Sequence, residues 1–487
     1  MPGADIVFIN PPYERIAPGY EFVKHITNRS PSLGLLHLAA EARAHGYRPA
    51  IIESDVLNLS VADVAARVVA AMPAYVGITL FTVGVWGAAA IARRIKQDRP
   101  DTRIIVGGPH ISSMGPETMQ RFAEFDYAVV GEGEKALTDL LRALEGRNDP
   151  RSVPSLIYRD GAALRTTPRS PVNRLLDDLP MPAWDLLPGF PRGPVATIAA
   201  SRGCPFQCKF CDTSTFGATV RHYSPAIVFD MMRHLRDTYG VRHVMFVDDL
   251  FLASKLRATE LCELMLKNDL KMTWTCTARV DTVKPDILAL MKRAGCWEIS
   301  FGLESGADEL LQKMDKAVRV ENSEQAVRWT AAAGIRTKGL FMLGYPGENR
   351  DTIRQTKEFV RRIPMTIMNL SKFTPYPGSP IYRDLFGTNI RDDHWEKMNG
   401  MNFVWAPEGM TVEELDRHYQ DILVSFYRRP RIGWYYLKLT LQYPNHFYRL
   451  LRFLLGFLGA KLKSLASGRG GLLVRPREVR LDAQAKH

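Results

Sequence analysis

The chain has 487 residues, 46% hydrophobic and 24% charged, which is too long for one ordinary core and points to two or three globular domains. This composition excludes a disordered or fibrous protein, and no apolar run reaches the roughly 18–20 residues that span a bilayer. The net charge of +12 is concentrated at one end: Arg428 to His487 holds 13 Lys/Arg against two acids, while the other 427 residues carry 51 basic and 50 acidic side chains. No charged-then-apolar leader opens the sequence, so the expected compartment is the cytoplasm.

Short apolar runs alternate with helical patterns over the first 146 residues. Strands are expected at Ile6–Asn10, Pro49–Glu53, Tyr75–Phe81, Arg103–Val106 and Tyr127–Val130, with helices at Leu33–Ala44, Val61–Ala71, Val85–Gln97 and Lys135–Leu144. Five βα units in this rhythm predict an α/β domain with a doubly wound parallel sheet. Ligands of such sheets sit outside the carboxyl ends of the strands. Here those ends read Asn10-Pro11-Pro12, Thr79–Thr82, Gly107-Gly108-Pro109-His110 and Gly131-Glu132-Gly133-Glu134.

Residues 147–194 contain a proline every few positions, which suits a connector with one strand-like piece at Ser155–Arg159. A second βα series fills residues 195–384. Its strands are expected at Val195–Ala200, His243–Val247, Met272–Ala278, Trp297–Leu303, Lys338–Leu343 and Thr366–Lys372. Six consecutive units favour a partial (β/α)6 barrel over a flat sheet. Residues 385–487 form a mainly helical region, with a soluble helix at Met410–Tyr427.

Six cysteines in a long chain of this kind do not make a disulfide framework. Cys262, Cys276 and Cys296 are scattered in apolar contexts and read as buried small hydrophobes. The other three lie together in Ser201-Arg202-Gly203-Cys204-Pro205-Phe206-Gln207-Cys208-Lys209-Phe210-Cys211-Asp212, directly after the first barrel strand. Four thiolates would complete an iron–sulfur cubane; three leave one iron open to a small molecule. A structural zinc site is the competing reading, but it wants four ligands, and His222 is the only close histidine.

Cys204-x3-Cys208-x2-Cys211, with Phe210 before the last cysteine, resembles the signature of the radical S-adenosylmethionine (SAM) superfamily. The resemblance implies that these cysteines hold a [4Fe–4S] cluster and that SAM chelates the open iron and is cleaved to a 5′-deoxyadenosyl radical. It also implies SAM contacts at Phe210 by the adenine, Asp248 by the amino acid moiety, Glu304 by the ribose, Arg279 at the carboxylate and Gly344 in the fifth-strand turn. Asp249 and Glu304 have a plainer reading as caps of the helices that follow them.

The front domain is similar to the cobalamin-binding domain that precedes one class of radical SAM enzymes. The likeness implies cobalamin contacts at Ser32, Leu33, Gly34, Thr79, Thr82, Gly107, Gly108, His110, Gly131, Glu132 and Gly133. No histidine of this domain has an Asp two residues before it, so the Asp-x-His-x-x-Gly signature that supplies an imidazole to cobalt is missing. For His110 a local hydrogen bond is an equal alternative. The front domain has no cysteine, which separates the chain from the methylthiotransferases.

In the tail, Phe447–Leu465 places most of its Leu and Phe residues in one helical arc, the form of an interfacial helix. Its ordinary alternative is a helix packed on the barrel. A membrane surface is therefore the expected partner of the basic tail, and nucleic acid is not, because no RNA module accompanies the charge. Together the resemblances imply a methyltransferase acting on an unactivated carbon of a small, lipid- or tetrapyrrole-like substrate. Flavodoxin or ferredoxin would serve as electron donor. A radical oxidative cyclase of the same architecture is the alternative within the class, and a non-catalytic cluster protein the alternative outside it.

Overall fold

The computed structural model describes residues 3–12, 31–170, 172, 175–191, 193–387 and 392–442. Two compact units divide the chain. The larger runs through residues 1–14 and 30–426; the smaller, in its described part, comprises residues 427–442 and contains the helix Pro430–Gln442. The interfacial helix expected at Phe447–Leu465 lies outside the described residues.

The first sheet has seven strands: β1 (Ile6–Asn10), β2 (Pro49–Glu53), β3 (Tyr75–Thr79), β4 (Arg103–Gly107), β5 (Tyr127–Val129), β6 (Leu156–Asp160) and β7 (Ala163–Thr166), in the order 2-1-3-4-5-6-7. The first five are mutually parallel. Ile6 to Ile9 are all buried, as expected of a strand covered by helices on both faces. Strand order reverses between β1 and β3, which opens a crevice above that switch point.

One expectation needs correction. The connector is not only a strap: β6 pairs antiparallel with β5, and β7 with β6, so the front sheet extends to Thr166 and the boundary at 146 falls inside it. The helix of the fourth unit follows β4 at Pro109–Arg121; it carries Pro116 and breaks helical geometry at Met114.

The second sheet contains β8 (Val195–Ile198), β11 (His243–Phe246), β12 (Thr273–Ala278), β13 (Cys296–Glu304), β14 (Arg336–Leu343) and β15 (Ile367–Lys372). All pair in parallel in chain order, with β8 and β15 at its two edges, the arrangement of an open six-unit barrel. Two short antiparallel strands, β9 (Ser201–Arg202) and β10 (Arg221–His222), stand between β8 and β11. Cys262, Cys276 and Cys296 are buried free thiols, as their contexts predict.

The segment after β15 returns to the front domain. Tyr382, Trp395, Met398 and Val404 join the core built on the first sheet, and fully buried Trp395 meets the His110 ring edge-on at 4.5 Å. The helix Val412–Tyr427 follows, two residues shorter at its start than expected.

Candidate active site

The cysteine loop occupies Gly203 to Val220, and the β9–β10 ribbon closes its neck. Gly203 has φ +90°, and a Cβ there would stand 2.4 Å from the Thr219 carbonyl oxygen, so no other residue fits. Asp249 accepts from the Gly203 amide at 3.0 Å. The Lys209 amide donates to the Met314 carbonyl at 3.0 Å, and Ile381 donates to the Lys209 carbonyl at 2.9 Å. The loop is thus pinned from several elements of the barrel.

Cys208 is buried, Cys204 half-buried and Cys211 open at its surface. Desolvation by the surrounding protein, reinforced by the neighbouring Cys208 and Cys204, pushes the Cys211 thiol up to about 12. Burial also raises Cys208, against the opposing pull of Lys316 and Arg279. Such thiols ionise only when something compensates the charge, and iron does so. Among the described residues no three His, Cys, Asp or Glu side chains draw together tightly enough to hold one ion. In a cluster, by contrast, separate irons are held by separate thiolates.

Phe210, Arg279 and Glu304 gather beside Cys208. Arg279 places Nη1 3.9 Å from the Cys208 sulfur and its guanidinium 3.5 Å from the Phe206 ring centre. The same group pairs with Asp281 and donates to the Lys316 carbonyl at 2.8 Å. Glu304 closes β13 in the left-handed region, φ +61°, at a register shift against β14. Its Oε1 accepts from Lys316 Nζ at 2.9 Å, and Lys316 lies 5.5 Å from the Phe210 ring centre. Gly302 makes the space, since a Cβ there would reach 2.5 Å from Glu304 Oε1. Sequence reading missed Lys316: it follows Glu304 by twelve residues, beyond any spacing rule.

Asp248 and Gly344 have partners within the protein. Both Asp248 oxygens accept from the Ala200 amide at 3.1 Å, and Ser201 Oγ donates at 2.5 Å. Burial raises its carboxyl to about 6 against these bonds. Asp248 therefore anchors the root of the loop. The Gly344 amide donates to Glu348, and its Cβ position is walled by Phe403 and Leu415, so it serves close packing of the C-terminal region.

In the front domain, the Ser32 amide donates to Glu53 at 2.7 Å; Leu33 starts the first helix, and among the described residues nothing lies within 4 Å of a Cβ placed at Gly34. Gly107 ends β4, and Gly108 fits closely against Thr79 and Leu80. Gly131 donates to Ser112 Oγ at 3.0 Å, and Gly133 fits against Leu38. Three of the expected residues have partners within the protein. His110 is buried, with Nδ1 3.1 Å from Thr82 Oγ1 and Nε2 3.0 Å from Thr118 Oγ1, the local hydrogen bonding that was its alternative reading. Glu132 pairs with Arg202 and Arg221 of the barrel.

Residues 198–360 match the radical SAM superfamily and residues 22–141 match the B12 binding domain. The chain is a radical SAM enzyme with a B12-binding domain. An uncharacterized methyltransferase of Pyrococcus horikoshii is 29% identical over 86% of this chain and 92% of its own length. The anaerobic magnesium-protoporphyrin IX monomethyl ester cyclase of Rubrivivax gelatinosus is 28% identical over 94% of this chain and 82% of its own. The solved radical SAM methyltransferase TsrM of Kitasatospora setae shares the fold, with a TM-score of 0.66 at 20% identity over 78% of this chain and 75% of that one. The cofactors of the radical SAM enzyme are a [4Fe–4S] cluster, SAM and cobalamin.

Inside the B12-binding domain both ring nitrogens of His110 have hydroxyl partners. Burial drops His110 to about 3 and His37 to about 4. Unfolded histidine takes its proton near 6.5. These two depressed groups therefore contribute stability that is complete above about 6.5 and lost as pH falls toward 4 and then 3. The thermal midpoint of the radical SAM enzyme should drop between about pH 7.5 and about pH 5.5, and His110→Gln should flatten that decline. An identical slope in the variant would refute the assignment.

Proposed function

We propose that this enzyme transfers a methyl group to an unactivated carbon, with Cys204, Cys208 and Cys211 holding the cluster. The carrying observation is a three-thiol loop, fixed in a barrel mouth, directly against a B12-binding domain, with Ser113 of that domain donating to Asp212 beside Cys211 at 2.7 Å. When bound, the cluster and SAM supply hydrogen-abstracting radical chemistry and cobalamin supplies a methyl carrier.

The chain's own residues bind and orient. Arg279 and Lys316 set two cations beside Cys208 and Phe210, suited to the SAM carboxylate. Glu304, held by Lys316, is suited to accept from ribose hydroxyls. Phe210 offers its ring to the adenine. The cobalamin contacts fall at Ser32, Leu33, Gly34, Thr79, Gly107, Gly108, Gly131 and Gly133, with backbone predominating.

The substrate we propose is lipid- or tetrapyrrole-like, and the enzyme works at a membrane surface with flavodoxin or ferredoxin as electron donor. The helix Pro430–Gln442 supports this: Trp434, Leu437 and Leu441 are 68%, 50% and 74% exposed along one face, beside exposed Arg431 and Lys438. That pattern suits an interfacial position. No described helix is long and apolar enough to cross a membrane.

Anaerobic turnover with candidate lipids and tetrapyrroles tests the reading by product mass. A gain of one CH2 per turnover is expected. A product without it would favour the second reading, an oxidative cyclase, which the alignment of the Rubrivivax gelatinosus cyclase over 94% of this chain supports.

A further inference from the structure

The neck of the cysteine loop carries two buried cations side by side. Arg202 and Arg221 are direct cross-strand partners in the β9–β10 ribbon, and both are buried, at 6% and 5% exposure. Like charges placed opposite each other repel, and a buried cation needs a counter-ion.

The counter-ions come from the B12-binding domain. Glu132 accepts from Arg221 Nη1 with both oxygens, at 2.8 and 2.7 Å, and from Arg202 Nη1 at 3.1 Å. Glu134 accepts from Arg202 Nη2 at 2.7 Å. Glu132 stands in the turn after β5, and Glu134 opens the helix Glu134–Leu144 that follows it. The arginines in turn grip the loop itself: Arg202 lies 5.3 Å from the Phe216 ring centre, and Arg221 donates to the Phe216 carbonyl at 3.4 Å.

The far end of the cysteine run is tied to the same domain. Ser113 donates to Asp212, the residue after Cys211, and shares a hydrogen bond with Ser214 at 2.8 Å. The run from Cys204 to Cys211 is therefore fastened on both sides by the front domain.

We infer that Glu132 is a positioning residue for the cluster: docking of the B12-binding domain neutralises the paired arginines and holds the cysteine loop in its ligating form. This rests on the reading of Cys204, Cys208 and Cys211 as cluster ligands. Groups that orient metal ligands from behind typically change metal affinity or activity by roughly 10- to 100-fold when removed.

The test compares the reconstituted holoenzyme with Glu132→Gln and with the charge swap Glu132→Arg plus Arg221→Glu. Electron paramagnetic resonance of the reduced cluster, iron content and 5′-deoxyadenosine formation are read together with cobalamin uptake by absorbance. Glu132→Gln should keep cobalamin uptake, alter the cluster signal and slow SAM cleavage roughly ten-fold or more. The swap should recover most of the loss.

Arg221→Lys, which keeps the charge but loses the second nitrogen that reaches the Phe216 carbonyl, should shift the signal with the fold intact. A wild-type signal and cleavage rate in Glu132→Gln overturns the role, as does a swap no better than the single variant. An unfolded Glu132→Gln beside a wild-type signal in Arg221→Lys also overturns it, assigning the acid to fold stability. A wild-type chain that assembles no cluster overturns the ligand reading itself and the inference with it.

Discussion

Cys208→Ala is expected to abolish 5′-deoxyadenosine formation by the anaerobically reconstituted enzyme, by at least about a thousand-fold, or roughly 4 kcal/mol. Cys208 is the buried member of the three thiols, with Arg279 Nη1 3.9 Å from its sulfur. Three thiolates leave one iron of a cubane open; two leave a second uncovered and the cluster without its anchor. Cys262→Ala is the matched control, because Cys262 is a buried free thiol in the helix Lys255–Lys267, remote in sequence from the loop. Chromatographic assay of 5′-deoxyadenosine together with iron content reads both variants. A wild-type rate in Cys208→Ala would remove the basis of the functional reading.

Gly203→Ala should be nearly as damaging, although it deletes no functional group. At φ +90° an alanine is strained by about 1–3 kcal/mol. Its methyl would also stand 2.4 Å from a backbone oxygen, Thr219 O, which cannot rotate aside as a side chain does. Relief requires the neck of the loop to open, and with it go the amide bond to Asp249 and the alignment of Cys204. Iron and sulfide per chain should fall to roughly a tenth, the loss typical of disturbing a metal site's support. Far-ultraviolet circular dichroism should remain that of the wild type. Full cluster occupancy in this variant would show that the neck tolerates opening.

Most elements were legible because each has a local signature. The parallel strands are short apolar runs bounded by Gly, Pro or Asn, and β2 and the helix Leu33–Ala44 fall where expected. The cysteine loop was legible for the same reason, its spacing being a property of eight adjacent residues. What was hidden depends on partners chosen at long range. The strand-like piece expected at Ser155–Arg159 is a strand, but its place in the front sheet shows only once Leu156 is paired with Val129. Glu132 reads as part of a cofactor turn, yet its partners are 70 and 89 residues away. His110 sits at a strand end where a ligand contact is reasonable, but the helix that carries it also brings Thr118 to its second nitrogen. That helix was itself obscured by Pro116 and the break at Met114.

The β6–β7 hairpin has a practical consequence for dissecting the enzyme. A fragment ended at residue 146 would leave β5 as a bare parallel edge, with the backbone partners of Ala128 and Val129 removed. Such an edge recruits other chains. A fragment carried through Thr166 keeps Leu156 and Ile157 in place and ends on β7, whose residues are largely exposed. Only the longer fragment should stay monodisperse, so the proline-rich stretch belongs to the architecture of the cobalamin half and the usable cut lies beyond its second strand.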